Sequence, residues 1–378
     1  MGKNIFEIVV TSTMSSGKST LLNAIIGKEL LPSKNEACTA RVCRIEDDDD
    51  KHGFYIRKKM LNGNTIIENC TPEKIDAMNS VTDEAYIDII GEIPSIINMD
   101  KRLVIYDTPG PNNSCDDKHR DVTKSILHDG NYGLILYIIN ATQVGINDDQ
   151  QLLAEIKSVI AHSTEHKDVL FVVNKIDEID DEKECTTSLM KNIQKYLENN
   201  GFKNPIILPI SAYYALLARK ILNDEKLTRI EEISLFYQLQ HFEEAPFKFI
   251  DLAFLPSILR QYSKTQIKTI KSRFTQKNFK INKLSFNESV IDAFIHYTGL
   301  GLLEHIIQEL LTATSTVNDA LISLTNIFGA YFEIQNEAKL RNSKIMSTQR
   351  ACFITRRFKG NGAPSIKRVK LRRANKRR

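Results

Sequence analysis

No apolar run in this 378-residue chain approaches the roughly 18 residues that a membrane-spanning helix requires; the longest lies near residues 132–139. Ile5 to Val10 is too short for a secretory leader and runs straight into a Gly-Lys-Ser. Phe6 stands where an N-myristoylation pattern wants Ser or Thr, so neither leader nor myristoyl anchor is expected. The six cysteines, Cys38, Cys43, Cys70, Cys115, Cys185 and Cys352, show no C-x-x-C spacing. That argues against a disulfide framework or a zinc site and reads as reduced cytosolic thiols. Acid is missing from one end of the chain: between Lys339 and Arg378 there are 15 Lys and Arg and no Asp or Glu. The net charge of +4 therefore hides an acidic body and a basic tail, which bears on partners and not on fold. The expected location is cytoplasmic, with a peripheral membrane position left open by the tail.

With 42% hydrophobic and 26% charged residues, the chain has the composition of a globular protein with a sizeable core. Its length allows one large domain or two ordinary ones. Strand-like and helix-like patterns alternate. After Ile5 to Val10 comes "GKSTLLNAIIGKELLPS". There Leu21, Leu22, Ala24 and Ile25 suit a helix of about ten residues stopped by Gly27 and then Pro32. "RLVIYDTPG", "YGLILYIIN" and "DVLFVVNKID" read as buried strands, the last two followed by the helical "DDQQLLAEIKSVIAH" and "TTSLMKNIQKYLENNG". "PIILPISAYYALLARKIL" repeats the unit. The pattern predicts an α/β fold, a mostly parallel central sheet with helices on both faces and ligand loops at the carboxyl ends of strands. Asn223 to Lys283 carries apolar residues at helical spacing and no chemistry. Val317, Leu321, Leu324, Phe328 and Tyr331 predict an amphipathic helix that needs a partner surface, and beyond Lys339 disorder is expected. The expected domains are 1–312, 313–340 and 341–378.

The stretch "TSTMSSGKST", residues 11–20, joins the first strand to the first helix. A helix N-terminus presents unpaired N–H groups and partial positive charge to an anion. A phosphate loop adds small residues that wrap the phosphates, a Lys that reaches the β and γ oxygens, and a hydroxyl for magnesium. Here Ser15, Ser16 and Gly17 wrap, Lys18 reaches, Ser19 ligates magnesium and Thr20 continues the site. Ser12 replaces the pattern's first Gly. The bland alternative is a Gly-Lys-Ser turn without a ligand. Later stretches favour the ligand. "DTPG" closes a strand with Asp107, for magnesium through water, and Gly110, for the γ-phosphate. "NKID" supplies Asn174, Lys175 and Asp177. Asp177 accepts from the N1 and N2 hydrogens of guanine, a donor pair that adenine lacks, while the Lys175 stem lies along the base. Ser211 and Ala212 follow the next strand and back the ring. In this order the set predicts a site for GTP and Mg2+. Thr39, in "LPSKNEACTARVC", supplies the switch threonine for magnesium and the attacking water.

These residues resemble the dynamin family of P-loop NTPases, large GTPases, and most of all bacterial dynamin-like proteins. The carriers are "TMSSGKSTLLNAIIGKELLPS" running into "NEACTA", then "DTPGPNNS", "NKID" and "TGLGLLEHIIQELL", spanning roughly Ile5 to Leu311. The resemblance implies GTP hydrolysis stimulated when two such domains dimerise across their nucleotide faces, usually coupled to membrane remodelling. Self-association, a second dynamin-like chain and an anionic membrane surface are the implied partners. Catalysis is then expected from Ser15, at the family's charge-compensating position, with Lys18 and Thr39. "QVGINDD" matches where the family places dimer-spanning contacts, so Asp148 or Asp149 acts in trans or simply caps a helix. Met14 stands where eukaryotic dynamins carry Gln. A thioether cannot orient water as an amide does, so catalysis is expected to be slower or to rest on Thr39 and backbone groups. Set against the family pattern, neither an N-terminal bundle helix before the first strand nor a full helical stalk is expected in this chain.

"HSTEH", His162 to His166, matches a zinc-protease pattern but falls between a helix and a strand where no pocket is expected. "DDDD", Asp47 to Asp50, reads as a solvated loop in preference to a calcium site. The tail suits anionic lipid or nucleic-acid phosphates. Its only aromatics are Phe353 and Phe358, so base stacking has little support and nucleic acid ranks second. Two rivals to a dynamin-type GTPase stay open: a slow nucleotide switch recruiting a protein partner, and an RNA- or ribosome-associated GTPase using the tail.

Overall fold

The computed structural model describes residues 4–13, 15–32, 41–59, 65–81, 86–108, 125–128, 130, 132–145, 147–163, 167–180, 185–312, 319 and 322. Its first half runs β1 (Asn4–Ser12), α1 (Lys18–Ile26), β2 (Val42–Asp47), β3 (Phe54–Lys59), β4 (Thr65–Asn69), α2 (Pro72–Val81), β5 (Tyr86–Gly91), β6 (Lys101–Asp107) and β7 (Leu134–Asn140). Then come α3 (Asn147–His162), β8 (Asp168–Asn174), α4 (Thr186–Asn199), β9 (Ile207–Ile210) and α5 (Ala212–Leu222). The remainder is α6 (Arg229–Glu244), α7 (Lys248–Leu252), α8 (Ser257–Lys271), the strands β10 (Asn278–Ile281) and β11 (Leu284–Asn287), α9 (Glu288–Tyr297) and α10 (Leu300–Leu310). The predicted helix over Val317 to Tyr331 and the basic tail fall almost wholly outside the described residues.

Among the described residues nine strands form one sheet in the order β4-β3-β5-β2-β6-β1-β7-β8-β9. The run from β6 to β9 is parallel throughout, as the continuous apolar strands predict; every residue of β7 is buried. Helix α1 starts at Gly17 and stops at Gly27, both left-handed, and packs on β1, β6, α5 and α10. From Leu21 to Ile26 it is buried without a break, and the one polar side chain in that run, Asn23, is bonded to the backbone of Leu30 and Leu31.

Two regions differ from the sequence expectation. Beyond β6 the sheet turns over: β2 is antiparallel to β6, β5 is parallel to β2, and β3 and β4 add antiparallel pairs. Alternating polar residues in these strands replace the continuous apolar signal, which is why they escape a search for buried parallel strands. The second is a hairpin, β10–β11, within a stretch that reads as helical. Asn282 and Lys283 both take positive φ (43° and 71°) at its tip, the conformation that a two-residue hairpin turn demands.

The antiparallel flank carries a charged cluster. Glu46 accepts from Arg44 (2.8 Å), Arg57 (2.6 Å) and Arg102 (2.9 Å), and Asp88 accepts from Arg44 and Arg57 at 2.9 and 2.7 Å. Burial alone would raise the Glu46 carboxyl, but the three guanidinium hydrogen bonds hold it at about 2 against an ordinary 4.5. A depressed folded-state value contributes stability above pH 4.5 that is lost as pH falls toward 2. Glu46→Gln is therefore expected to cost about 2–3 kcal/mol at neutral pH and to flatten the acid dependence of urea unfolding. Parallel stability-versus-pH curves for the two proteins would contradict this. Asp47, expected in a solvated loop, is instead fully buried. It accepts from Ile93 N–H (2.8 Å) and Asn98 Nδ2 (3.1 Å), and burial lifts its carboxyl to about 7. The acidic run is thus partly an anchor for the segment before β6.

Helices α9 and α10 meet at a 76° bend at Gly299, where a Cβ would collide with the Pro209 carbonyl. The Thr298 carbonyl in this bend accepts from Ser211 N–H at 2.9 Å. Among the described residues no single helix is long and apolar enough to cross a membrane. The bent α9–α10 pair passes by composition, and all its apolar residues but the half-buried Val290 are buried in the fold.

A candidate nucleotide site at the strand ends

The parallel strands β6, β1, β7, β8 and β9 bring their carboxyl ends to one edge, so that Asp107, the 12–17 loop, Asn140, Asn174 and Ser211 converge there. The loop is bent by two left-handed residues, Ser15 (φ 56°) and Gly17 (φ 81°). Asn174 Nδ2 donates to the Ser16 carbonyl at 2.8 Å, and its Oδ1 accepts from Ala212 N–H at 3.0 Å. One side chain thereby ties the phosphate loop to the Ser211–Ala212 segment. A Cβ at position 17 would collide with Asn174 Nδ2, so glycine is required there by contact as well as by φ. Lys175 is also left-handed (φ 63°), and its stem approaches the same point. Thr108 donates twice to the Val10 carbonyl, from N–H (3.2 Å) and Oγ1 (2.9 Å), locking the turn after β6 to β1.

The electrostatics are unfinished at both ends of the loop. Lys18 Nζ donates to Asp107 Oδ1. Asp107 is 1% exposed, and its burial raises the carboxyl above its ordinary value while Lys18 opposes the shift. Its second oxygen, Oδ2, is buried without a hydrogen-bond partner. At the other end, burial raises the Asp177 carboxyl, opposed first by the Ser211 hydroxyl, and Asp177 Oδ1 is likewise buried and unpartnered. The buried hydroxyl of Ser16 shares that condition. Buried polar atoms are nearly always satisfied, and a carboxylate oxygen is satisfied only by a donor or a cation. The donor set fits the expected ligand: acceptors for guanine N–H groups at Asp177, and Lys18, Ser19 and Asp107 for phosphate and hydrated magnesium.

Of the predicted site residues, Ser15, Ser16, Gly17, Lys18, Ser19, Thr20, Asp107, Asn174, Lys175, Asp177, Ser211 and Ala212 are brought to this edge. Thr39 and Gly110 lie outside the described residues, as do Met14 and His166. Asp149 corrects an expectation. Its side chain is 2% exposed and accepts from Tyr137 OH, because the third position of α3 faces β7 across the core. It is not available to a second chain. Two neighbours of the site were not anticipated. Cys43, buried on β2, sits in register with Asp107, and burial, aided by the Asp107 charge, pushes its thiol up. Asn140 donates from Nδ2 to the Ser15 carbonyl at 3.2 Å. A signal for it existed, since "YIIN" and "FVVN" end two successive strands alike.

A phosphate loop between β1 and α1, an aspartate closing β6 and an N-K-x-D run closing β8 define a P-loop fold of the GTPase class. Residues 8–176 match the Dynamin family model, and the chain resembles bacterial dynamin-like proteins. "Dynamin-like protein A" of Bacillus subtilis (strain 168) is 25% identical over 194 residues, 51% of this chain and 15% of the relative. "Uncharacterized protein in xynA 3'region" of Caldicellulosiruptor sp. (strain Rt8B.4) is 26% identical over 236 residues, 60% of this chain and 54% of the relative. The chain thus spans between about a seventh and about half of these curated relatives. Among solved structures, "an oligomerised bacterial dynamin pair" aligns with a TM-score of 0.42 at 16% identity, covering 93% of this chain and 45% of that one. Era in complex with MgGDPNP and nucleotides 1506–1542 of 16S ribosomal RNA gives 0.33 at 20% identity, covering 56% and 52%.

Proposed function

We propose that this chain binds GTP with magnesium and hydrolyses it, and that two such domains meeting across their nucleotide faces stimulate the reaction. The observation that carries the reading is the pair of buried, unpartnered carboxylate oxygens flanking one loop, Asp177 Oδ1 and Asp107 Oδ2. A single ligand with N–H donors at one end and a hydrated cation at the other answers both. Asp177 accepts from guanine, Ser211 and Ala212 back the ring, the Lys175 stem lies along it, and Asn174 holds the loop. The backbone of residues 16–20 meets the phosphates at the start of α1. Lys18 exchanges Asp107 for phosphate oxygens, Ser19 and Thr39 hold magnesium, Asp107 does so through water, and Gly110 meets the γ-phosphate. Magnesium, when bound, neutralises charge on the β and γ oxygens. Ser15 compensates charge at the bridging oxygen and Thr39 positions water. The domain bounds 1–312, 313–340 and 341–378 belong to this reading, as does a tail directed to an anionic membrane surface.

The test is GTP turnover per molecule, with ATP as control, over about a hundredfold range of protein concentration. Turnover that rises with concentration supports dimer-stimulated hydrolysis. A flat, slow rate with tight GTP binding overturns that part and favours the nucleotide switch.

A further inference from the structure

Asn140 and Asn174 close two adjacent parallel strands and are direct partners in the β7–β8 register. Their side chains do the same thing one residue apart. Asn174 donates to the Ser16 carbonyl and accepts from Ala212 N–H. Asn140 donates to the Ser15 carbonyl and accepts from Thr142 N–H (3.0 Å) and Thr142 Oγ1 (2.8 Å). In each case the donors on the Oδ1 side fix which end of the amide faces the loop. The two tips are joined as well, since Ala141 N–H donates to the Asn174 carbonyl at 2.9 Å. Two successive loop carbonyls are thereby drawn toward the strand tips. In a trans peptide the N–H points opposite its C=O, so the N–H groups of Ser16 and Gly17 are turned away from the strand tips. Ser15 has particular need of such a hold. Its left-handed backbone (φ 56°) is unfavourable for a residue with a Cβ and persists only when its surroundings impose it.

We propose that Asn140 is a positioning residue for GTP hydrolysis, supported by Thr142. It holds Ser15 left-handed and aims the Ser16 N–H at the phosphates without itself touching the nucleotide. The inference rests on the reading of this loop as the phosphate loop of a GTPase.

A double-mutant cycle in the full chain tests it, using Asn140→Ala, Ser15→Gly and the pair, with kcat, GDP affinity and thermal midpoint measured for each. Asn140→Ala is expected to lower kcat roughly 10- to 100-fold, with GDP affinity changed by less than about threefold. Glycine takes the left-handed conformation at little cost. In the Ser15→Gly background the further loss on removing Asn140 is therefore expected to shrink to about threefold or less. An equal loss in both backgrounds overturns the proposal, because Asn140 then only supports the β7 tip. A fall in thermal midpoint and GDP affinity with kcat intact overturns it too. Should Asn140→Ala not fold, Asn140→Asp keeps the acceptor for Thr142 and deletes the donor to Ser15; wild-type kcat in that variant is equally fatal. Failure of the underlying reading looks different, since the unaltered chain would then not turn over GTP at all.

Discussion

Lys18→Ala is expected to weaken GTP binding by about 10²- to 10³-fold, the usual cost of deleting one partner of a desolvated charge pair. The variant is also expected to lose stability. Lys18 is the counter-charge of Asp107, whose carboxyl burial raises and whose ionised form Lys18 supports. Breaking a buried pair from one side costs about 3–5 kcal/mol. The penalty is expected to grow with pH, because an acid with a raised folded-state value loses stability as pH climbs through the window between its unfolded and folded values. Binding and folding effects therefore need separating. Lys18→Ala combined with Asp107→Asn removes both charges and is expected to recover the thermal midpoint while GTP titration stays weak. A double variant that recovers both, or a single variant that binds GTP normally, rejects the loop as the phosphate site.

Asp177→Asn is expected to cost about 10²-fold in GTP affinity and to narrow the preference for GTP over ATP, since buried polar groups left unpaired are what make such discrimination steep. The carboxylate offers only acceptors, and Asp177 Oδ1 has none of its capacity used. Guanine N1–H and N2–H supply donors; an asparagine would set its own N–H against one of them. Xanthosine triphosphate carries an oxygen at position 2, which that N–H satisfies, so the variant is expected to gain affinity for it. Burial raises the Asp177 carboxyl, so ionising it at neutral pH costs stability, and the thermal midpoint of the variant, measured without added nucleotide, is expected to hold or rise. Unchanged base preference in competition binding removes Asp177 from the base contact.

Much of the site is legible from sequence because its chemistry is local. A Gly-Lys-Ser after an apolar strand, a D-x-x-G after another and an N-K-x-D after a third each set their own turn. Chain order then places them at one edge of a parallel sheet. The helix stop at Gly27 follows in the same way from a left-handed C-terminal glycine. The strands β2 to β5 are less legible, since their direction depends on which neighbour they pair with and not on their own pattern.

What the sequence by itself determined was thus the class of fold, the turn that joins β1 to α1 at Gly17 and Lys18, and the acid placed just after β8. Only the tertiary structure decided the rest. Strand register set Asn140 beside Asn174, although 33 residues separate them in the chain. Core packing turned Asp149 inward to Tyr137 and buried Asp47 against Ile93. Each of these side chains is a polar residue whose surroundings come from distant segments. A buried polar group takes whatever partner the fold brings within about 3 Å, and no local pattern in the chain records that choice.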